Sequence, residues 1–178
     1  MDTARMSGDM LPASDEVRLA EFAALREEIK QRSSLQHALM VLNLTAVATV
    51  AGLVLGRNAE RSLLLVVPVV SPALGFLWFG HHLDISRIGK YIGRQLWVWE
   101  PSWEAWCRDP ARLHKRWWYR TFWTSLILMF CGAPAIALII GLPASTSSTT
   151  TWLLWSGGVV LTISLTARFC IGGSTNFD

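Results

Sequence analysis

The sequence predicts an all-α, polytopic membrane protein: a four-transmembrane-helix bundle with a cytosolic N-terminal helix and an amphipathic cytosolic loop. Three observations carry this. Of 178 residues, 52% are hydrophobic and only 16% charged, against about 25% charged in an ordinary soluble domain. The apolar residues are blocked together, so that residues 33–56, 62–83 and 121–167 contain no Asp, Glu, Lys or Arg. These blocks also lack the polar face that a helix on a soluble core would show.

A bilayer core about 30 Å thick is crossed by roughly 20 helical residues, so the first two blocks hold one span each. The third, as one helix, would run about 70 Å and must turn. Gly141-Leu142-Pro143 stops one span, a small hydroxylated stretch follows, and Trp152 opens the next. The spans are placed at residues 38–55, 62–79, 121–142 and 152–171. The chain then divides into a cytosolic tail and helix (1–34), spans one and two (35–80), a cytosolic Trp/Arg-rich loop (81–120), and spans three and four with a short cytosolic C-terminus (121–178). Residues 1–30 are polar and contain no cleavable signal, so span one is expected to serve as an uncleaved anchor.

Orientation follows from positive charge. Fourteen Lys/Arg residues fall in the N-terminal segment, the loop between spans two and three, and the end of span four; only Arg57 and Arg61 fall on the other side. Basic residues near spans are retained in the cytoplasm, which puts both termini inside. The net charge of +3 is spread over helix ends, the pattern of anionic-lipid contact; no nucleic-acid partner is expected.

Residues 1–12 read as disordered. Ser14 can cap a helix with Asp15 and Glu16 in its first turn, and no Gly or Pro interrupts it before Gly52. Leu19, Phe22, Leu25 and Ile29 form an apolar stripe on its cytosolic part. That stripe suits either an oligomerising or partner-docking helix or one packed on the protein's own loop. Pro68 and Pro72 are expected to kink span two. Ile85, Ile88, Ile92 and Leu96 oppose Asp84, Arg87, Lys90 and Arg94, an amphipathic helix fit to lie at headgroup level. Trp97, Trp99, Trp103 and Trp106 follow, an interfacial dip or a partner surface. Asp109-Pro110 reads as the start of another helix, which leads through Lys115, Arg116, Trp117, Trp118 and Arg120 into span three. These five residues are the candidate lipid-headgroup contacts on the cytoplasmic side, and Trp152 with Trp155 forms the outer aromatic belt.

Small residues recur every four positions as Ala48-Gly52-Gly56, as Ala133-Ala137-Gly141 and as Gly158-Thr162-Thr166, with a weaker Ser71-Gly75 pair on span two. Such stripes let backbones approach closely, within one chain or between copies. Chemistry is sparse. His81 and His82 are adjacent on a helix and diverge by about 100°, which favours an interfacial role over metal binding. Cys107, Cys131 and Cys170 read as free thiols. No ionisable residue occupies the centre of a span, which argues against a proton-coupled transporter. Asn43, Thr45, Thr49, Thr124 and Ser125 are the polar candidates inside spans, for hydrogen bonds between helices or a narrow pore. No phosphate loop, acid–base pair or nucleophile motif is present, so no catalytic residue, cofactor or metal site is expected.

Arg26-Glu27-Glu28-Ile29, the stretch from Pro68 to Leu77, and Ile88-Gly89-Lys90-Tyr91-Ile92 resemble segments of small bacterial, actinobacterial-type multi-span integral membrane proteins of unknown function. The resemblance covers under half the chain and implies a bacterial cytoplasmic (inner) membrane, with no activity to carry over. The architecture is also similar to membrane components of bacterial anti-phage systems. The functional expectation is a non-enzymatic, oligomeric membrane component that receives a partner or signal on its cytosolic face, of the defence-effector type. A small autonomous channel or carrier is the alternative, and a membrane scaffold subunit of a larger complex the third.

Overall fold

Helix α1 (Ala13–Gly56) is 44 residues long, about 66 Å at 1.5 Å per residue and more than twice what a bilayer core requires. The computed structural model describes residues 13–56, 61–96, 116–144 and 147–175. Among them every element is helical and no strand occurs. Four helices are long and apolar enough to cross a membrane.

After α1 the chain re-enters as a 3₁₀ turn (Arg61–Val66) that passes into α2 (Val67–Tyr91) and then a π turn (Ile92–Leu96). Pro68 lies in the first turn of α2, where the missing N–H costs nothing, while Pro72 sits inside the helix. The chain passes from 3₁₀ to α geometry just before this proline pair, and the helix continues through Pro72. The third apolar stretch is also divided: α3 (Arg116–Ile127), a π turn (Leu128–Gly132) and α4 (Ala133–Ile140). Pro134 explains the division, because it has no N–H to close the ladder behind it. Gly141 ends α4 by donating its N–H to Ala137 O at 2.8 Å. Helix α5 (Thr149–Thr175) begins three residues before the expected Trp152, because Ser148 caps it: its Oγ accepts from Thr151 N at 3.3 Å.

Helix α2 is central, packing on α1, α4 and α5 and on the π turn of the third stretch. The core is aromatic. Trp78, Phe79, Trp123, Phe130 and Phe169 are buried together with Leu126, Cys131 and Leu165. Trp78 and Phe169 meet edge-on at 6.1 Å, and Phe79 and Phe169 at 5.7 Å, geometries that suit the ring quadrupoles. Cys170, unlike Cys131, is exposed.

Three features add to the sequence reading here. The amphipathic stretch does not form a separate helix. It is the continuation of α2, and its Ile92 is fully buried where the π turn meets α1. The weak Ser71-Gly75 pair is the tightest contact, since a Cβ on Gly75 would collide with Leu165 and come within 3.3 Å of Phe130. The small-residue stripes are not equivalent. On Ala133-Ala137-Gly141, a Cβ at Gly141 would lie 3.0 Å from Leu65, and at Gly158 a Cβ would lie 2.9 Å from Pro68. By contrast, among the described residues a Cβ at Gly52 or Gly56 meets nothing within 4 Å.

Candidate functional site

The polar chemistry of the bundle gathers where α1 and α2 face the π turn. In an α-helix the N–H of residue 134 would satisfy Phe130 O, and in a π turn it would satisfy Met129 O. Pro134 can do neither. Two side chains from other helices take its place: Ser71 Oγ donates to Phe130 O at 3.1 Å, and Asn43 Nδ2 donates to Met129 O at 3.1 Å. Both are fully buried, Asn43 at 0% and Ser71 at 1% exposure. An unmet carbonyl in an apolar interior costs about 1–3 kcal/mol, which is why the proline turn is tolerated only with such partners.

Asn43 is left half-satisfied. Its Oδ1 is buried with no hydrogen-bond partner among the described residues. The amide orientation is fixed, because Met129 O can only accept, so the unmet atom is the oxygen. Between α1 and the start of α2 an open crevice of about 60 Å³ is lined by valines such as Val47, Val50, Val67 and Val70, with Asn43 and Ser71.

Toward the start of α1 a second polar set ties α1 to the far end of α2. Arg32 spans Glu28, at 2.7 and 2.9 Å, and Asp84, at 2.5 Å. Hydrogen bonding to Glu28, and then the nearby Asp84 charge, hold the guanidinium more firmly protonated than usual. Tyr91 donates its hydroxyl to Glu21 at 2.8 Å, which raises the phenol pKa above its ordinary value. Phe22, Leu25 and Ile29 are half-buried, whereas Leu19 is exposed. Gln36, not anticipated, reaches Trp78 O at 3.3 Å.

The remaining expected site residues separate. Lys115, the tryptophan-rich run, Cys107, Asp109-Pro110 and the disorder expected at residues 1–12 lie outside the described residues. Arg116, Trp117, Trp118 and Arg120 fall on the first turns of α3. Trp152 and Trp155 pair edge-on at 6.1 Å, and Trp155 Nε1 donates to Leu138 O at 3.0 Å. His82 stacks on Trp78 at 5.4 Å. Among the described residues, no group of three His, Cys, Asp or Glu gathers that could hold a metal.

Of the polar span candidates, Asn43 bridges helices through its bond to Met129 O. Thr45, Thr49 and Ser125 turn back to carbonyls four residues behind, at 2.8–2.9 Å, the usual internal satisfaction of hydroxyls in apolar helices. Ser71 entered the sequence reading only as a small residue. The signal for its role was Pro134, which guarantees a carbonyl in need of a donor. These features define an all-helical protein with four membrane-length helices and a buried polar knot. Comparison with protein families, with curated proteins and with solved structures gave no match.

Proposed function

We propose that this protein is a non-enzymatic component of a bacterial cytoplasmic membrane that crosses the bilayer four times with both termini inside, and that it assembles into homo-oligomers through α1. On this reading the paired ends of α1 and α2 project into the cytosol. There, with the tryptophan-rich loop, they receive a protein partner or signal, as in a defence-type membrane effector. The charge asymmetry supports the orientation, and the basic residues Lys115, Arg116 and Arg120, with Trp117 and Trp118, would meet anionic headgroups.

One observation carries the assembly. In its most apolar window α1 is only 6% buried, although Ala48, Gly52 and Gly56 give it a face built for close backbone approach. No described part of the same chain occupies that face: a Cβ at Gly52 meets no atom within 4 Å. Gly52→Leu is therefore compatible with the protomer and isolates the contact between copies. Mass measurement in mild detergent should give an oligomer for the wild type and smaller particles for Gly52→Leu, with equal thermal stability within each protomer. A monomeric wild type would sink the reading.

A further inference from the structure

We propose that the cytosolic end of α2 is a docking stripe for an acidic polypeptide, carried by Arg87, Lys90 and Arg94. This rests on the four-span reading with both termini inside, and it names the chemistry of the partner. Spacings of three and four residues put the three cations on one face of the helix, over about 10 Å. The opposite face is already used: Ile85 and Ile88 are half-buried, and Ile92 is fully buried where the π turn meets α1. The stripe itself is exposed, with the Arg87 side chain 78% accessible. Asp84 reaches Arg87 only at 3.4 Å, and its other oxygen is held by Arg32. Among the described residues no carboxylate pairs with Lys90 or Arg94. Height sets the stripe apart from the protein's own bilayer. Span two closes at Phe79. Lys90 and Arg94 stand about 16 and 21 Å further along the helix, whereas a headgroup layer is about 5–8 Å deep. A convex helix face also suits a macromolecule better than a small molecule, which needs concave walls. Glu21 and Asp84 flank the stripe, bound to Tyr91 and Arg32, and would repel an unbroken run of phosphates. A helix with single carboxylates at the same spacing meets each cation in turn and keeps clear of both acids.

The probe is a fluorescein-labelled, alanine-based helical peptide that repeats glutamate at this spacing. It is titrated by anisotropy, at low ionic strength, with the full chain in zwitterionic phosphatidylcholine nanodiscs. Binding is expected, and it should weaken as salt rises. Arg87→Gln, Lys90→Gln and Arg94→Gln together should lower affinity about tenfold or more, the sum of three exposed pairs. These positions are exposed, so the variant leaves the core intact. Lys115→Gln, Arg116→Gln and Arg120→Gln together should change affinity by less than about twofold. No binding, an unchanged affinity in the stripe variant, or an equal loss in the second variant would overturn the proposal. So would displacement by phosphatidylglycerol vesicles or by an oligonucleotide that, at equal charge, is more effective than unlabelled peptide; the stripe would then serve a membrane or a nucleic acid. Nanodiscs present both faces of the protein, so the result depends neither on orientation nor on assembly. A monomer that binds at the stripe sinks only the assembly, and an oligomer that ignores the peptide sinks only the docking.

Discussion

The apolar stretches of α1 and α2 have nearly the same mean hydropathy, 2.2 and 2.1, yet 44% of the α2 window is buried and only 6% of the α1 window. Hydropathy therefore says that both helices suit a bilayer and says nothing about which one the protein is built around. The difference lies in side-chain variety. Helix α2 offers large rings at Trp78 and Phe79, a notch at Gly75 and proline faces at Pro68 and Pro72, and all five are buried. Helix α1 offers leucine and valine around much of its circumference, with Val41, Leu42, Leu44, Leu53 and Leu55 exposed. Rings and notches have particular complements in α5 and in the π turn. Aliphatic surface is equally content with lipid, because apolar contact between helices gains nothing from excluding water there.

The contrast breaks most readily at Phe130, which is fully buried against α2 and α5. Phe130→Ala should lower stability by about 3–5 kcal/mol through the cavity it leaves, read as thermal unfolding in detergent. Leu44→Ala, at a position 58% exposed, should change it by less than about 0.5 kcal/mol. Comparable losses at the two sites would mean that α1 is as tightly held as α2.

A smaller effect is expected at a polar point where α2 serves the third stretch. Ser71→Ala removes the donor to Phe130 O and should cost about 1 kcal/mol. The amide exchange of residues in the π turn should quicken with it. An unaltered exchange pattern would show that the carbonyl finds another donor.

The smallest effect concerns the Glu21–Tyr91 contact that joins α1 to α2 near their shared end. Because the carboxylate accepts the phenol's hydrogen bond, the folded state holds that proton above the ordinary tyrosine value of 10.0. The sign follows: this contact contributes fully below the unfolded pKa and is lost as pH rises through the raised folded value. Phenolate absorbance should show one of the two tyrosines titrating late, and Glu21→Gln should bring its midpoint down. A midpoint that does not move would remove the carboxylate as the cause.

Much of the architecture was legible before any fold was built. The charge-free blocks fall within the four apolar helices, although the first helix starts well before its block and the second runs well past its own, and Gly141-Leu142-Pro143 placed the last turn. The Glu28–Arg32 pair at i,i+4 formed as its spacing implies, at 2.7 Å. The polar knot was half legible. Asn43 stood out as an amide in an apolar run, but its partner is a backbone carbonyl 86 positions away, and backbone carbonyls carry no sequence signature. Pro134 was the available clue to both freed carbonyls.

What the sequence by itself determined is additive along the chain: which segments are apolar, how long each is, where prolines forbid an N–H, and which ends collect positive charge. Only the tertiary structure decided which small-residue stripe is occupied. Gly75, Gly141 and Gly158 sit under Leu165, Leu65 and Pro68, while a Cβ on Gly52 or Gly56 would meet none of the described residues within 4 Å. It likewise turned the amphipathic end of α2 onto α1 and left Asn43 Oδ1 buried without a hydrogen-bond partner among the described residues. The reason is that packing depends on the surface a residue faces. Facing is set by how helices of nearly equal hydropathy rotate against each other, and no local pattern records that rotation.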